Sequence, residues 1–467
     1  MILQRIAEHA ERRPHARVHA EGQCLSYAQL LGLVARTAGD IPKGAHLAIA
    51  CDNPLGYLVG LLASLCYGGV AVPISTAFLD SDRTVRLLRQ CDVSIVLSDR
   101  LEGQSLPFPV IGLPDGEARS TSIPPGSRED RPALILQTSG TTADPKAPVL
   151  TGNAIGWNAQ ATADRLALTP QDTGLITLSL THSFGLNVTL ALLMAGASVV
   201  LARREVFMPG SFLHLVRNHG VTVAAMVASQ MYTYISQSRS VQTNWPLKAV
   251  LYAGGSTPAG WVRRLMQLWP GTRFLQGYGL TEAGPRVSMH DARDEPAPLE
   301  SAGRPLPGTS VAVWHEGRLV AESGTVGEIW VRTPSRMLGY YRNEEATRQV
   351  FNGDWLRTGD LGYMDEYGYL YIRGRLKSLI KVGGRSVYPE EVEQVLLELN
   401  GVKACRAYGV LDVGLGEVVA VEVVGDDLDQ ETVRAHCKKW LEAYKIPRML
   451  KWVAEIPRTE HGKIRRT

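Results

Sequence analysis

From residue 55 the chain alternates between two hydrophobic periods. LGYLVGLLASLCYGG reads as a helix, VAVPI as a short strand, the run around DRTVRLLRQ as a helix and VSIVL as a strand. Helices and strands taking turns predict parallel βαβ units. Short apolar runs at 133–136, 197–201, 221–227, 247–252 and 273–275 predict further buried strands. The opening MILQRIAEHAERRPHARV places Leu3, Ile6 and Ala10 on one face of an amphipathic helix. After about residue 300 the texture changes. TSVAVWHEGRLVA, GEIWVR and GYMDEYGYLYIRGR are short alternating runs separated by glycine turns, and they predict a small antiparallel, barrel-like subdomain. YPEEVEQVLLEL, VKACRAYGV, GEVVAVEVV and DQETVRAHCKKWLEAY then read as helix, strand, strand, helix, a compact α+β unit of roughly 90 residues.

Composition changes this picture little. A chain of 467 residues exceeds one ordinary core, and 45% hydrophobic against 20% charged residues is usual for a globular protein. The 49 basic and 46 acidic residues are spread along the chain, which argues against a nucleic-acid or membrane footprint. Six cysteines stand far apart without a CxxC pair, so a zinc site or disulfide framework is not expected. No run of 18 apolar residues and no signal core is present, and a cytoplasmic setting is expected.

The candidate chemistry begins with QTSGTTADPKAP at 137–148. A strand runs into small residues where Thr138, Ser139, Gly140, Thr141 and Thr142 offer hydroxyls and backbone N–H groups to an anion, and Lys146 adds a positive charge. It is not a Walker loop: Pro145 stands where the second glycine belongs and Ala147 where Ser or Thr would hold magnesium. Alone, the segment reads as a solvated turn. Downstream come YAGGSTP (252–258), QGYGLTEAG (276–284), WLRTGDLGYMDEYGYLYIRGRLKSLIKVGGRSVYPEEVE (355–393) and IPRTEHGKIRR (456–466). In this order the motifs resemble the adenylate-forming superfamily of acyl- and aryl-CoA ligases, peptide-synthetase adenylation domains and luciferases. The likeness extends from LSYAQL (25–30) and CYGGVAVPI (66–74) almost to the last residue.

The resemblance implies a large α/β N-terminal domain (1–376) and a small mobile α+β domain (377–467) hinged at Lys377. It implies a reaction in two halves: a carboxylate attacks the α-phosphate of ATP to give an acyl-adenylate and pyrophosphate, and a thiol then displaces AMP. The 137–148 loop would hold the outer phosphates. Thr281 would serve the α-phosphate, and Glu282 is the expected Mg²⁺ ligand, a hard oxygen suited to that ion. Tyr278 would stack on adenine with Gly254, Gly255, Ser256, Gln276 and Gly277 around it, while Asp360 and Arg375 would hold ribose and nucleotide. Lys463 would reach the substrate carboxylate and α-phosphate.

The acyl pocket is expected around His182, the family's aromatic gate, with Phe184, Ala228, Tyr232, Ala253, Gly279, Ala283 and Gly284. Between Asp172 and Glu205 there is no acidic residue to pair an α-ammonium, so an uncharged aryl (benzoate- or cinnamate-like) or medium acyl acid is expected. The thiol acceptor is either CoA or the phosphopantetheine of an acyl carrier protein. Luciferase-like oxygenation and a weakly catalytic adenylate-binding protein are the other readings. The last is motivated by Ala143 and Ala147, which replace family glycines and would be strained if their φ were positive.

Overall fold

The computed structural model describes residues 1–76, 79, 81–100, 106–114, 130–137, 146–203, 207–238, 240, 242, 245–255, 257–293, 297–320, 322–426 and 428–457. The polar connection EARSTSIPPGSREDRP lies mostly outside them. Four sheets carry the chain.

The largest has nine strands. Six run parallel, in the order Arg273–Tyr278, Ala249–Tyr252, Val223–Met226, Thr173–Ile176, Ser198–Leu201 and Arg17–Ala20, with antiparallel strands at both edges. A seven-stranded sheet has a parallel centre of Pro132–Ile135, Val70–Pro73, His46–Ala50 and Val93–Ser98. Most residues of these strands are apolar, because helices cover both faces of such sheets. Helix Pro54–Cys66 shows how. Asn53 caps it by accepting from the Leu55 amide at 2.8 Å, Pro54 supplies a preset first turn, and its residues are apolar on almost every side. Such a helix is stable only when enclosed, and it is buried nearly along its whole length. The N-terminal helix Ile2–Arg12 buries Ile2, Leu3 and Ile6, with Ala10 packed at the margin.

Beyond residue 300 a six-stranded antiparallel sheet follows, formed by Ser310–His315, Arg318–Val320, Gly327–Arg332, Phe351–Asn352, Trp355–Met364 and Leu370–Arg375. A single exposed 3₁₀ turn, Leu376–Ser378, leads from it to a five-stranded sheet that begins at Ile380–Val382. This last sheet packs helices Pro389–Leu397 and Gln430–Trp440 over a core of its own, drawn from residues 380–452. The second helix is shorter than the sequence suggests. It stops at Trp440, Leu441 is extended, and the following stretch is held by Lys445, whose amino group reaches Glu391 at 2.8 Å.

Candidate active site

The carboxyl ends of the parallel strands in the nine-stranded sheet carry the motif residues together. Leu178 to Phe184 follow Thr173–Ile176, Ala228 follows Val223–Met226, Ala253 to Gly255 follow Ala249–Tyr252, and Gly279 to Glu282 follow Arg273–Tyr278. In open α/β sheets this edge is where ligands bind. The crevice has two flanks joined by the segment Tyr278 to Glu282.

On one flank, strands Pro132–Ile135 and Pro148–Thr151 form a hairpin whose loop is the 137–148 motif. Thr138 to Pro145, with Ala143, lie outside the described residues, as do Ser256 and Lys463. The end of the loop is fixed. Leu136 donates its amide to Pro148 O at 3.2 Å, and Tyr341 donates to Ala147 O at 2.8 Å. Ala147 is not among the five non-glycine residues of positive φ found among the described residues, so the backbone strain that an alanine there could have introduced is absent. Strand Gly339–Tyr340 pairs with Pro148 and Val149 and so brings Tyr340 to the site. The Tyr340 hydroxyl donates to Glu282 Oε1 at 3.0 Å, and Lys146 Nζ stands 4.7 Å from the centre of its ring. Burial, then the Glu282 carboxylate, push the Tyr340 phenol far above its ordinary pKa, so it remains a donor. Tyr340 thus ties the cation of the loop to the acid of the motif. Nothing in its own segment, SRMLGYYR, marks it as functional; the signal is only that it pairs with the loop strand.

On the other flank stands Asp360, whose side chain is 6% exposed. Its Oδ2 accepts from the Tyr278 hydroxyl at 2.7 Å and its Oδ1 from Arg375 Nε at 2.9 Å. Register explains the second contact: Asp360 and Arg375 are direct cross-strand partners. Burial and the Asp360 carboxylate hold the Tyr278 phenol well above its usual pKa. A carboxylate has about four acceptor positions, so two remain for a diol. Asp360→Asn removes the charge and keeps the shape, and loss of one charged hydrogen bond, about 1.5–3 kcal/mol, raises the KM for ATP roughly 10–100-fold. Exchange rates measured against ATP concentration check this, and an unchanged KM removes Asp360 from the nucleotide site.

The residues expected on the acyl side begin at helix Ser183–Met194, with His182 at its N-cap. Ser183 Oγ and Thr281 Oγ1 are 3.3 Å apart, which puts the start of this helix, whose first-turn amides have no intrahelical acceptor, beside Thr281. His182 Nε2 lies 3.5 Å from Thr181 Oγ1. Phe184 is half-buried, Ala228 and Tyr232 are partly exposed, and Tyr232 leans on Trp261 with ring centres 5.0 Å apart.

Packing and hydrogen bonding also constrain four residues expected to line the site. Ala283 is wholly buried in the core. Gly284 has φ +75°, and a Cβ there would stand 2.8 Å from Asn158 Nδ2 and Ser335 Oγ. A Cβ on Gly279 would stand 2.4 Å from Pro285 O. The Gln276 carboxamide, in the orientation that satisfies both its ends, donates to Leu299 O at 3.1 Å and Ser301 O at 3.2 Å. Gly254 (φ +94°) and Gly255 are exposed at the end of their strand, and Ala253 is buried just before them. Gly277 makes room for a neighbour absent from the sequence-based pocket, Arg286.

The donor set suits magnesium held chiefly by a substrate. Among the described residues no cluster of three metal-ligating side chains exists, and Glu282 is a single carboxylate with one oxygen on Tyr340. Mg²⁺ in phosphoryl-transfer sites takes one or two carboxylates plus phosphate oxygens and water. No helix among the described residues is long and apolar enough to cross a membrane.

Residues 6–341 match the family described as AMP-binding enzyme, and residues 391–463 match the AMP-binding enzyme C-terminal domain. The chain is 32% identical to a feruloyl-CoA synthase of Amycolatopsis sp, over 97% of this chain and 95% of that protein. It is 30% identical to an indoleacetate–CoA ligase of Aromatoleum aromaticum, over 95% and 92% respectively. Among solved structures, the o-succinylbenzoate CoA synthetase of Bacillus subtilis in complex with its acyl-adenylate intermediate superposes with a TM-score of 0.89 at 27% identity, covering 99% of this chain and 96% of that one. The same enzyme in complex with ATP and magnesium ion gives the same TM-score, covering 99% and 98%. With the matched domains spanning most of its length, the chain belongs to the AMP-binding enzyme family, ligases that join a carboxylic acid to a thiol by way of an acyl-adenylate.

Proposed function

We propose that this ligase activates an aryl or medium-chain acyl acid lacking an α-amino group and transfers it to the thiol of coenzyme A. The observation that carries the reading is the meeting of Lys146, Tyr340 and Glu282 on one side of the Tyr278–Glu282 segment with Asp360 and Arg375 on the other. Feruloyl-CoA synthase, indoleacetate–CoA ligase and 2-succinylbenzoate–CoA ligase among its relatives act on acids of the aryl kind and on CoA, as their names state.

In the first half-reaction the acid's carboxylate oxygen bonds to the α-phosphorus of ATP and the bond to the bridging oxygen of pyrophosphate breaks. Negative charge moves outward, so fixed donors and cations on the phosphates lower the barrier. Lys146 and the loop hydroxyls Thr138, Ser139, Thr141 and Thr142 take the outer phosphates, and Thr281 orients the α-phosphate. Glu282 holds Mg²⁺, which neutralises phosphate charge when bound. Asp360 accepts from the ribose hydroxyls, Arg375 holds that carboxylate in place, and Tyr278 offers its ring to adenine. Lys463 neutralises the carboxylate and α-phosphate as they approach. In the second half, a thiolate attacks the acyl carbon beside His182 and AMP departs with the bonding pair. Residues 377–467 form the moving domain, turning at Lys377 so that one crevice serves both steps.

The test is pyrophosphate exchange with a panel of aryl, alkyl and α-amino acids, followed by thioester formation with CoA or a holo carrier protein. Exchange with aryl or alkyl acids and thioester formed with CoA is the expected result. Exchange confined to α-amino acids overturns the substrate class, thioester formed only on the carrier protein overturns the acceptor, and no exchange at saturating ATP sinks the catalytic reading.

A further inference from the structure

The least explained charge in the molecule is Arg286. Its side chain is 2% exposed, and Nε and Nη2 have no hydrogen-bond partner among the described residues. Nη1 donates to Pro285 O at 2.5 Å. The guanidinium carbon stands over the Phe184 ring, 4.1 Å from its centre. Gly277 also borders the group: a Cβ there would stand 3.0 Å from Nε and 3.3 Å from the guanidinium carbon. Burial lowers the Arg286 pKa to about 9, which leaves the group charged at neutral pH, and among the described residues no acidic side chain is paired with it.

An unpaired buried cation costs several kcal/mol unless a counter-charge joins it. The two unpartnered atoms are not scattered. Nε–H and the Nη2–H beside it form one side-on edge of the guanidinium fork, the edge that matches the two oxygens of a carboxylate. The place is also specific. Phe184 sits one residue past Ser183, which meets Thr281 at 3.3 Å, and Arg286 follows Thr281 by one tight turn closed on Gly284. The guanidinium therefore lies against Phe184, the ring expected to wall the acyl pocket, and close along the chain to Thr281.

We infer that Arg286 is a specificity-determining residue that pairs with a second anionic group, a carboxylate or sulfonate, at the far end of the acyl substrate. The expected substrate is then a dianionic acid: one carboxylate reacts at Thr281 while the other engages Nε and Nη2. Phe184 covers the guanidinium in the free enzyme and becomes the flat contact for the body of the substrate. The absence of acidic residues between Asp172 and Glu205 agrees, since nothing there would repel a second anion. The inference rests on the ligase reading of the same crevice.

The experiment compares aliphatic and aryl dicarboxylic acids with their monomethyl esters in pyrophosphate exchange. For the best pair, wild-type kcat/KM is expected to favour the diacid by at least about 100-fold, because a buried fork left unpaired rejects the ester. Arg286→Met should remove that preference by depressing the diacid alone, and Arg286→Lys should restore part of it. Esters used as well as diacids by the wild type overturn the inference and leave the ligase reading intact. Equal loss of both substrates in a folded Arg286→Met enzyme, checked by circular dichroism, also overturns it and assigns Arg286 to structure. Exchange with no acid at all defeats both readings. The wild-type comparison stands even where a variant does not fold.

Discussion

Lys463→Ala lowers acyl-adenylate formation by about 10²–10³-fold, the loss seen when one fixed charge is removed from a transition state, and leaves thioester formation from a supplied acyl-adenylate near wild type. The split follows from when charge develops. In adenylation an anionic carboxylate meets an anionic phosphate, and a cation between them is needed most as they bond. In thioester formation AMP leaves from a neutral acyl carbon and the demand is weaker. The segment that carries Lys463 extends from strand Met449–Trp452, a member of the sheet with its own core, joined to the preceding sheet by the exposed turn at Leu376–Ser378. Lys377→Pro should therefore give the opposite pattern. Proline fixes φ and restricts the residue before it, so adenylation survives while thioester formation falls by about tenfold or more, ~1.4 kcal/mol. Pyrophosphate exchange and thioester synthesis from supplied adenylate measure the two halves separately. Equal losses in both halves for Lys463→Ala contradict a role confined to adenylation.

Glu282→Gln should cost adenylation about 10²–10³-fold as well, for a different reason. The amide keeps the volume and can still meet Tyr340, whose hydroxyl is 3.0 Å from Oε1, but it no longer offers magnesium a charged oxygen. Tyr340→Phe leaves the carboxylate charged and unanchored, so it should be milder, about tenfold or ~1.4 kcal/mol, and partly rescued by raising Mg²⁺. Exchange titrated with Mg²⁺ distinguishes the variants. A Glu282→Gln enzyme with a wild-type rate and Mg²⁺ dependence is incompatible with the metal role.

Much of the fold follows directly from period. The run DRTVRLLRQ is helix Asp82–Gln90, and GEIWVR is strand Gly327–Arg332, because each pattern has one stable way to bury its apolar residues. Boundaries shift where a local backbone event intervenes, as at Trp440, where the chain turns extended although its composition could continue the helix. The site is expected from motif order; in the structure Tyr278 meets Asp360 at 2.7 Å, and Glu282 meets Tyr340 at 3.0 Å. Gly284 and Gly279 were read as small pocket walls because size is visible in a sequence. Their positive φ or the close approach of Pro285 is not.

The sequence by itself determined the reaction family, the alternation of helices and strands, and which acids, hydroxyls and cations carry the motifs, since all of these reside in residue type and short spacing. Only the tertiary structure decided that Tyr340 holds Glu282 across 58 residues and Tyr278 holds Asp360 across 82, because strand order sets such meetings. It also decided that Arg286, set against Phe184, has two fork atoms without a partner among the described residues. A lone arginine after a glycine turn reads as a surface residue until packing removes its water and leaves its charge in need of a partner.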